Sequence, residues 1–194
     1  MSGIPHHGKI VVYDTEFTSW DGFLEKRFKE AGKYPEIIQI GAVLLDVEDD
    51  FCELSAFTTL VKPRVNPNLS QYIIDLTQIT QDDIDQHGVT FAEALEAFVQ
   101  FIPCDANSLV CYGCDGAVLD INKSLNDIFE HTDLPPEIDF NRLLISQGII
   151  QYATFSSQLP KLLGLEFSGA AHNALDDARA LACVIRELRR QNRI

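Results

Sequence analysis

The sequence predicts an α/β sandwich on a mixed sheet, and three features carry that expectation. Strand-like apolar runs crowd the first third of the chain, helical periodicity dominates the second half, and one short apolar run, Leu109–Tyr112, interrupts the helical part. Three strands, then helices, then a strand followed by helices is the order of an antiparallel hairpin joined to parallel strands.

Lys9–Tyr13 is almost wholly apolar after Lys9, which suits a central strand buried on both faces. Glu36–Leu45 and Phe51–Val61 are two more strand-like runs, and the acidic stretch Asp46-Val47-Glu48-Asp49-Asp50 between them fits a hairpin turn. From Phe91 to Ile102 apolar residues recur at three and four, with Thr90 placed to cap the helix. Leu109–Tyr112 reads as a fourth strand, and Val118, Ile121, Leu125 and Ile128 form the stripe of the helix after it. Ile138-Asp139-Phe140 offers a short fifth strand. The last helix carries Leu175, Ala178, Leu181, Ala182, Ile185 and Leu188 on one face, arginines toward its C-terminal end, and Asn173 as its cap.

The 194 residues suffice for one sizeable core, and no linker or repeat divides them, so a single domain over 1–194 with a short tail at 1–8 is expected. No apolar run approaches the roughly 18 residues that span a bilayer, and the N-terminus lacks the apolar centre of a signal peptide. A cytoplasmic protein with no membrane partner is the expectation. Five cysteines cannot all pair within the chain, and their apolar neighbours suggest reduced, mostly buried thiols. Cys111 and Cys114 form a lone Cys-x-x-Cys without the second pair a zinc site wants. The net charge of −14 argues against a basic surface that coats nucleic acid. His6, His7, His87 and His131 read as surface residues.

Carboxylates gather where they are least comfortable. Asp14 and Glu16 follow the first strand at i and i+2, so they project to the same side and repel unless cations lie between them. Asp115 stands just beyond the fourth strand, at the end where open α/β sheets place their sites. Asp177 opens the last helix, with His172 on the loop before it. The preceding Phe167-Ser168-Gly169-Ala170-Ala171 has no charge and little bulk, so a substrate could come close.

With these motifs in place, the chain resembles the DEDDh 3′→5′ exonucleases, and most the branch that trims small-RNA and histone-mRNA ends. The shared pattern is Asp14-x-Glu16, an acid after the fourth strand, and His172-x4-Asp177, together with Glu36-Ile37-Ile38-Gln39-Ile40-Gly41-Ala42-Val43, Val61-Lys62-Pro63 and Leu76-Thr77-Gln78-Ile79-Thr80. Gln78 departs from the glycine of many relatives, and the loop from Thr18 to Pro35, with Trp20 and Arg27, is long for a hairpin connection. The second acid has two registers. Tyr112-Gly113-Cys114-Asp115 selects Asp115, whereas Gly116-Ala117-Val118-Leu119-Asp120-Ile121 resembles the proofreading branch and selects Asp120; Asp115 keeps the apolar stripe on the core and is preferred.

The resemblance implies an RNase H-like mixed five-stranded sheet flanked by helices. It implies two divalent ions, Mg²⁺ or Mn²⁺, held by Asp14, Glu16, Asp115 and Asp177, with His172 as general base. Single-stranded RNA or DNA with a free 3′ end would be the substrate, its last nucleotide lying against Thr15, Phe17, Leu76, Thr77 and Ile79. Two alternatives stay open: a phosphohydrolase of very short oligonucleotides, and a catalytically inactive nucleic-acid-binding module on the same fold. The oligomeric state is not legible.

Overall fold

Strand β1 (Lys9–Phe17) runs through the centre of the molecule, with Ile10 to Tyr13 shut off from solvent on both faces. The structure is a computed structural model that describes residues 3–23, 26, 28–129, 133–152 and 154–194. The remaining strands are β2 (Ile37–Asp46), β3 (Cys52–Leu60), β4 (Ala106–Cys111) and β5 (Glu137–Asp139). They order as β3-β2-β1-β4-β5, antiparallel from β3 to β1 and parallel from β1 to β5. The mixed five-stranded sheet is the expected one.

The strand period of two divides β1 between two cores. Ile10 and Val12 join Val43, Leu45 and Val110 on one face, covered by α5 (Phe140–Ser146), α6 (Leu159–Leu162) and α7 (Ala174–Arg190). Val11 and Tyr13 join Ile40, Ala42 and Leu109 on the other, covered by α3 (Phe91–Phe101) and α4 (Asp115–Leu125). A satellite cluster of Ile38, Ile73, Ile79 and Ile84 seats α1 (Gln71–Thr77) and α2 (Gln81–His87). Thr80 and Asp83 cap α2 reciprocally, and Thr90 and Glu93 do the same for α3; each such cap contributes about 1 kcal/mol.

Three arginines toward the end of α7 hold backbone carbonyls or a carboxylate rather than face solvent freely. Arg186 donates to the Phe51 carbonyl at 2.7 Å, Arg189 to those of Ile4 and Pro5 at 2.8 and 2.9 Å, and Arg190 pairs with Asp50. This clasp ties the N-terminal segment to the molecule, and Ile4 is buried in the α7-side core, so residues 4 and 5 are no loose tail. Asp46 accepts from the amides of Glu48 and Asp49, which closes the acidic turn.

Several element boundaries differ from the sequence reading. β1 continues through Asp14 and Glu16, so the two acids lie within the strand. Phe140 begins α5 instead of ending a strand, because Asp139 accepts the Arg142 amide and caps the helix. α4 ends at Leu125, before Ile128. The cysteines are free thiols but not mostly buried: Cys52 and Cys104 are exposed, Cys114 and Cys183 half-buried, and Cys111 buried. Cys52 opens β3, whose first five residues are all exposed, whereas Phe51 in the left-handed turn before it is buried. His6, His7 and His87 are exposed, whereas Arg27 and His131 lie outside the described residues. Among the described residues no helix is long and apolar enough to cross a membrane.

Candidate active site

Asp14 and Glu16 continue the face of β1 that carries Ile10 and Val12, the face on which α7 packs. Their partners across the β1–β2 ladder are Gly41 and Gln39. Both are chosen by what lies above them. A Cβ on Gly41 would overlap the backbone of Ala174 and Leu175, so only glycine lets the start of α7 descend onto the strand. Gln39, a buried polar residue in an apolar strand, accepts the Ala174 amide at 2.9 Å and satisfies a donor that a helix start otherwise leaves unpaired. Asn173 caps the same turn by accepting the Asp176 amide.

The loop before α7 is held by the acids that follow it. Asp176 accepts the Ala170 amide at 2.9 Å and Asp177 accepts the His172 amide at 3.0 Å. His172 has φ 61°, a left-handed conformation that costs a non-glycine residue about 1 kcal/mol or more. From this position a ring nitrogen comes near Glu16 on the strand. Glu16, His172 and Asp177 each present a ligand-capable atom within 4.8 Å of the others.

Asp115 enters from the opposite side, in the first turn of α4. Thr15 donates to its Oδ1 through the hydroxyl at 2.6 Å and the amide at 3.1 Å. Asp120, in the same helix, is exposed and lies 4.0 Å from Lys123. The structure therefore brings Asp115, not Asp120, to the other three carboxylates.

Asp14, Glu16, Asp115 and Asp177 are only 3–7% exposed, and among the described residues no Lys or Arg charge acts on any of them. Burial, then the charges of Asp115, Glu16 and Asp177, pushes Asp14 well above the usual carboxylate range. Burial followed by Asp177 and Asp115 does the same to Glu16. Burial raises Asp115 to about 7 despite the opposing Thr15 bonds, and raises Asp177 to about 6. Burial lowers the pKa of His172, leaving its ring a neutral proton acceptor near pH 7. Four buried carboxylates without a cationic partner are costly alone and are the oxygen donor set that hard divalent ions require.

The residues expected against a nucleotide are less uniform. Thr15 spends both its donors on Asp115. Phe17 is half-buried, its ring edge-on to Phe28 at 5.7 Å in an aromatic group with Phe23 that organises the Thr18–Pro35 loop. Thr77 is buried, its hydroxyl donating to the Ile73 carbonyl at 2.8 Å and accepting the Ile79 amide at 3.2 Å. Ile79 is buried in the satellite cluster and Leu76 packs at its margin. Gln78 caps α1 in the left-handed region, where a glycine would be unstrained. Together with Gln39, Thr58 and Ala171, Thr77–Ile79 line an open groove beside the His172 loop.

Sequence reasoning missed Gln39, Gly41 and the orienting role of Thr15. The available signal was a glutamine and a glycine inside an otherwise apolar strand.

An acid cluster at the meeting point of β1, α4 and α7 on a mixed sheet defines a nuclease-type, metal-binding class of site. The chain matches the profile of the family RNase_T, described as Exonuclease, over residues 11–185, and it belongs to this DEDDh exonuclease family. The 3′-5′ exonuclease eri1 of Schizosaccharomyces pombe is 25% identical over 187 residues, covering 81% of this chain and 62% of that protein. The ERI1 exoribonuclease 2 of Mus musculus is 28% identical over 200 residues, covering 89% of this chain and 27% of that one. The chain thus spans less than two thirds of the length of these relatives. The nuclease domain of 3′hExo, a DEDDh family member bound to rAMP, shares the fold with a TM-score of 0.77 and 23% identity over 96% of this chain and 94% of that one. Family membership implies divalent metal ions, and the donor set fits them.

Proposed function

We propose that this chain is a 3′→5′ exonuclease that hydrolyses phosphodiester bonds at the 3′ end of single-stranded RNA or DNA. The observation that carries the reading is the set of four buried carboxylates, with no Lys or Arg charge acting on them among the described residues, beside a half-buried histidine. The names of the relatives, exonuclease and exoribonuclease, support the polarity and favour RNA.

In this reading Asp14, Glu16, Asp115 and Asp177 hold two divalent ions, Mg²⁺ or Mn²⁺. When bound, such ions activate water, neutralise phosphate charge and stabilise the leaving oxygen. The chain's own residues do the rest. Thr15 fixes the orientation of Asp115 through two hydrogen bonds. Gln39 and Gly41 fix the height of α7, and thereby of Asp177, above β1. His172 takes the proton of the attacking water, a role suited to a ring kept neutral by burial. The groove at Thr77–Ile79 receives the last nucleotide, with Leu76 at its margin and Phe17 beside the strand end.

The test uses 3′- and 5′-labelled single-stranded RNA and DNA with and without Mn²⁺, and the Asp14→Ala variant. Shortening from the 3′ end that needs the metal and vanishes in Asp14→Ala is expected; normal turnover by that variant would sink the reading. A length series separates a polynucleotide exonuclease from a hydrolase of very short oligonucleotides, which would act only on the shortest members.

A further inference from the structure

The segment between residues 152 and 167 exposes Tyr152, Phe155, Leu162 and Phe167, an unusual density of large apolar side chains for a soluble surface. It is not remote from the chemistry. The Phe155 ring is 54% exposed and stands edge-on to the His172 ring, with centroids 6.5 Å apart. Pro160, Lys161, Leu165, Phe167 and Gly169–Ala171 line a half-open cavity of about 210 Å³ that Ser157 and Asp177 complete. That is below the roughly 300 Å³ at which pockets for larger ligands begin, and it suits one planar ring system. Lys161 makes no ion pair among the described residues, in a chain of net charge −14.

An exposed aromatic, a small cavity of mixed polar and apolar lining, and a lysine that makes no ion pair among the described residues form a combination that a metal site alone does not need. Stacking surfaces and isolated cations are how unpaired bases and their phosphates are held. We propose that Phe155 is the stacking platform for an unpaired base next to the scissile linkage, and that the Phe167–Pro160 cavity takes a neighbouring base while Lys161 meets the backbone phosphate. The inference rests on the exonuclease reading and adds the residues by which unpaired bases at the 3′ end would be held. A duplex end keeps its bases stacked on each other and cannot use the platform.

The experiment takes the full chain with Mn²⁺ and a single-stranded oligonucleotide with non-cleavable last linkages, carrying 2-aminopurine at successive positions from the 3′ end. Binding should quench the probe at one or two positions. Phe155→Ala should abolish that quenching and raise Kd about 5- to 100-fold, the range for one stacked base, and Phe155→Trp should restore both. A cleavable strand with abasic residues at its 3′ end should be degraded by Phe155→Ala as fast as by the unaltered protein, since neither has a base to stack. Lys161→Gln should lower the log–log salt slope by about 1. Unchanged quenching and Kd in Phe155→Ala overturn the platform. An equal loss on the abasic strand overturns it as well, because Phe155 then serves only to pack His172. An unchanged salt slope overturns the part given to Lys161. If quenching behaves as expected but no cleavable strand is shortened, the exonuclease reading fails and the platform stands.

Discussion

Asp115 and Asp120 share one helix, yet one carboxylate is buried against Thr15 while the other is exposed to solvent. Asp115→Asn is expected to lower turnover by roughly 10²-fold or more, the scale of losing a preorganised electrostatic group, and Asp120→Asn to leave it unchanged; single-turnover rates decide. His172 raises a sharper question, because its ring lies close enough to Glu16 and Asp177 to bind a metal as well as to accept a proton. As a general base its loss costs about 10²–10⁴-fold in rate and leaves metal affinity near normal. Calorimetric titration of His172→Ala with Mn²⁺ distinguishes the roles, and loss of metal binding would make the histidine a ligand. Since burial depresses its pKa, the rising limb of the rate profile should lie below the ordinary 6.5. His172 and Asp177 were legible in the sequence because a histidine among small residues, five positions before a helix-opening acid, has no structural purpose of its own. Phe155 was not legible, because its neighbour in space is His172 on another loop.

The elements that position the site are the ends of β1 and α7, and Gly41 of β2 lies between them, paired with Asp14 and packed under the start of α7. Gly41→Ala should push the start of α7 off the strand, destabilise the protein by about 1–3 kcal/mol as overpacked sites do, and cost roughly 10²-fold in rate through displaced catalytic groups. Denaturant titration and turnover measure the two effects; an unaffected protein would mean that α7 does not rest on β2 as described. The sheet and α7 were legible because long apolar runs and a seventeen-residue amphipathic helix have unmistakable periods. α1, α2, α5 and α6 were not, since seven residues or fewer hold at most two turns and show little period. Their signals were local, such as the reciprocal cap of Thr80 and Asp83.

At the scale of the whole molecule, the buried acids tie stability to pH and metal. Their folded pKa values are raised, so between about pH 4 and 7 the folded metal-free chain binds more protons than the unfolded one, and stability falls as pH rises through that window. The melting temperature in EDTA should therefore be higher at pH 5 than at pH 7.5, and Mn²⁺ should narrow the difference by stabilising the ionised form. A metal-free melting temperature that rises over this range would contradict the burial of the cluster. Composition gave no hint of this, because a charge of −14 does not say which acids are inside. The clasp of α7 on the sheet has a further consequence for the growing polypeptide. Ile10, Val12, Val43, Leu45 and Val110 all await Leu181, Ile185 and Leu188, which are synthesised last among the core residues. Until α7 leaves the ribosome, one face of the nascent sheet is covered only by α5 and α6, and Asp14 and Glu16 have no lid. This chain therefore needs protection during translation in proportion to the time taken to make its final helix, and a stop codon shortly before residue 174 would yield an aggregating product instead of a weakened enzyme.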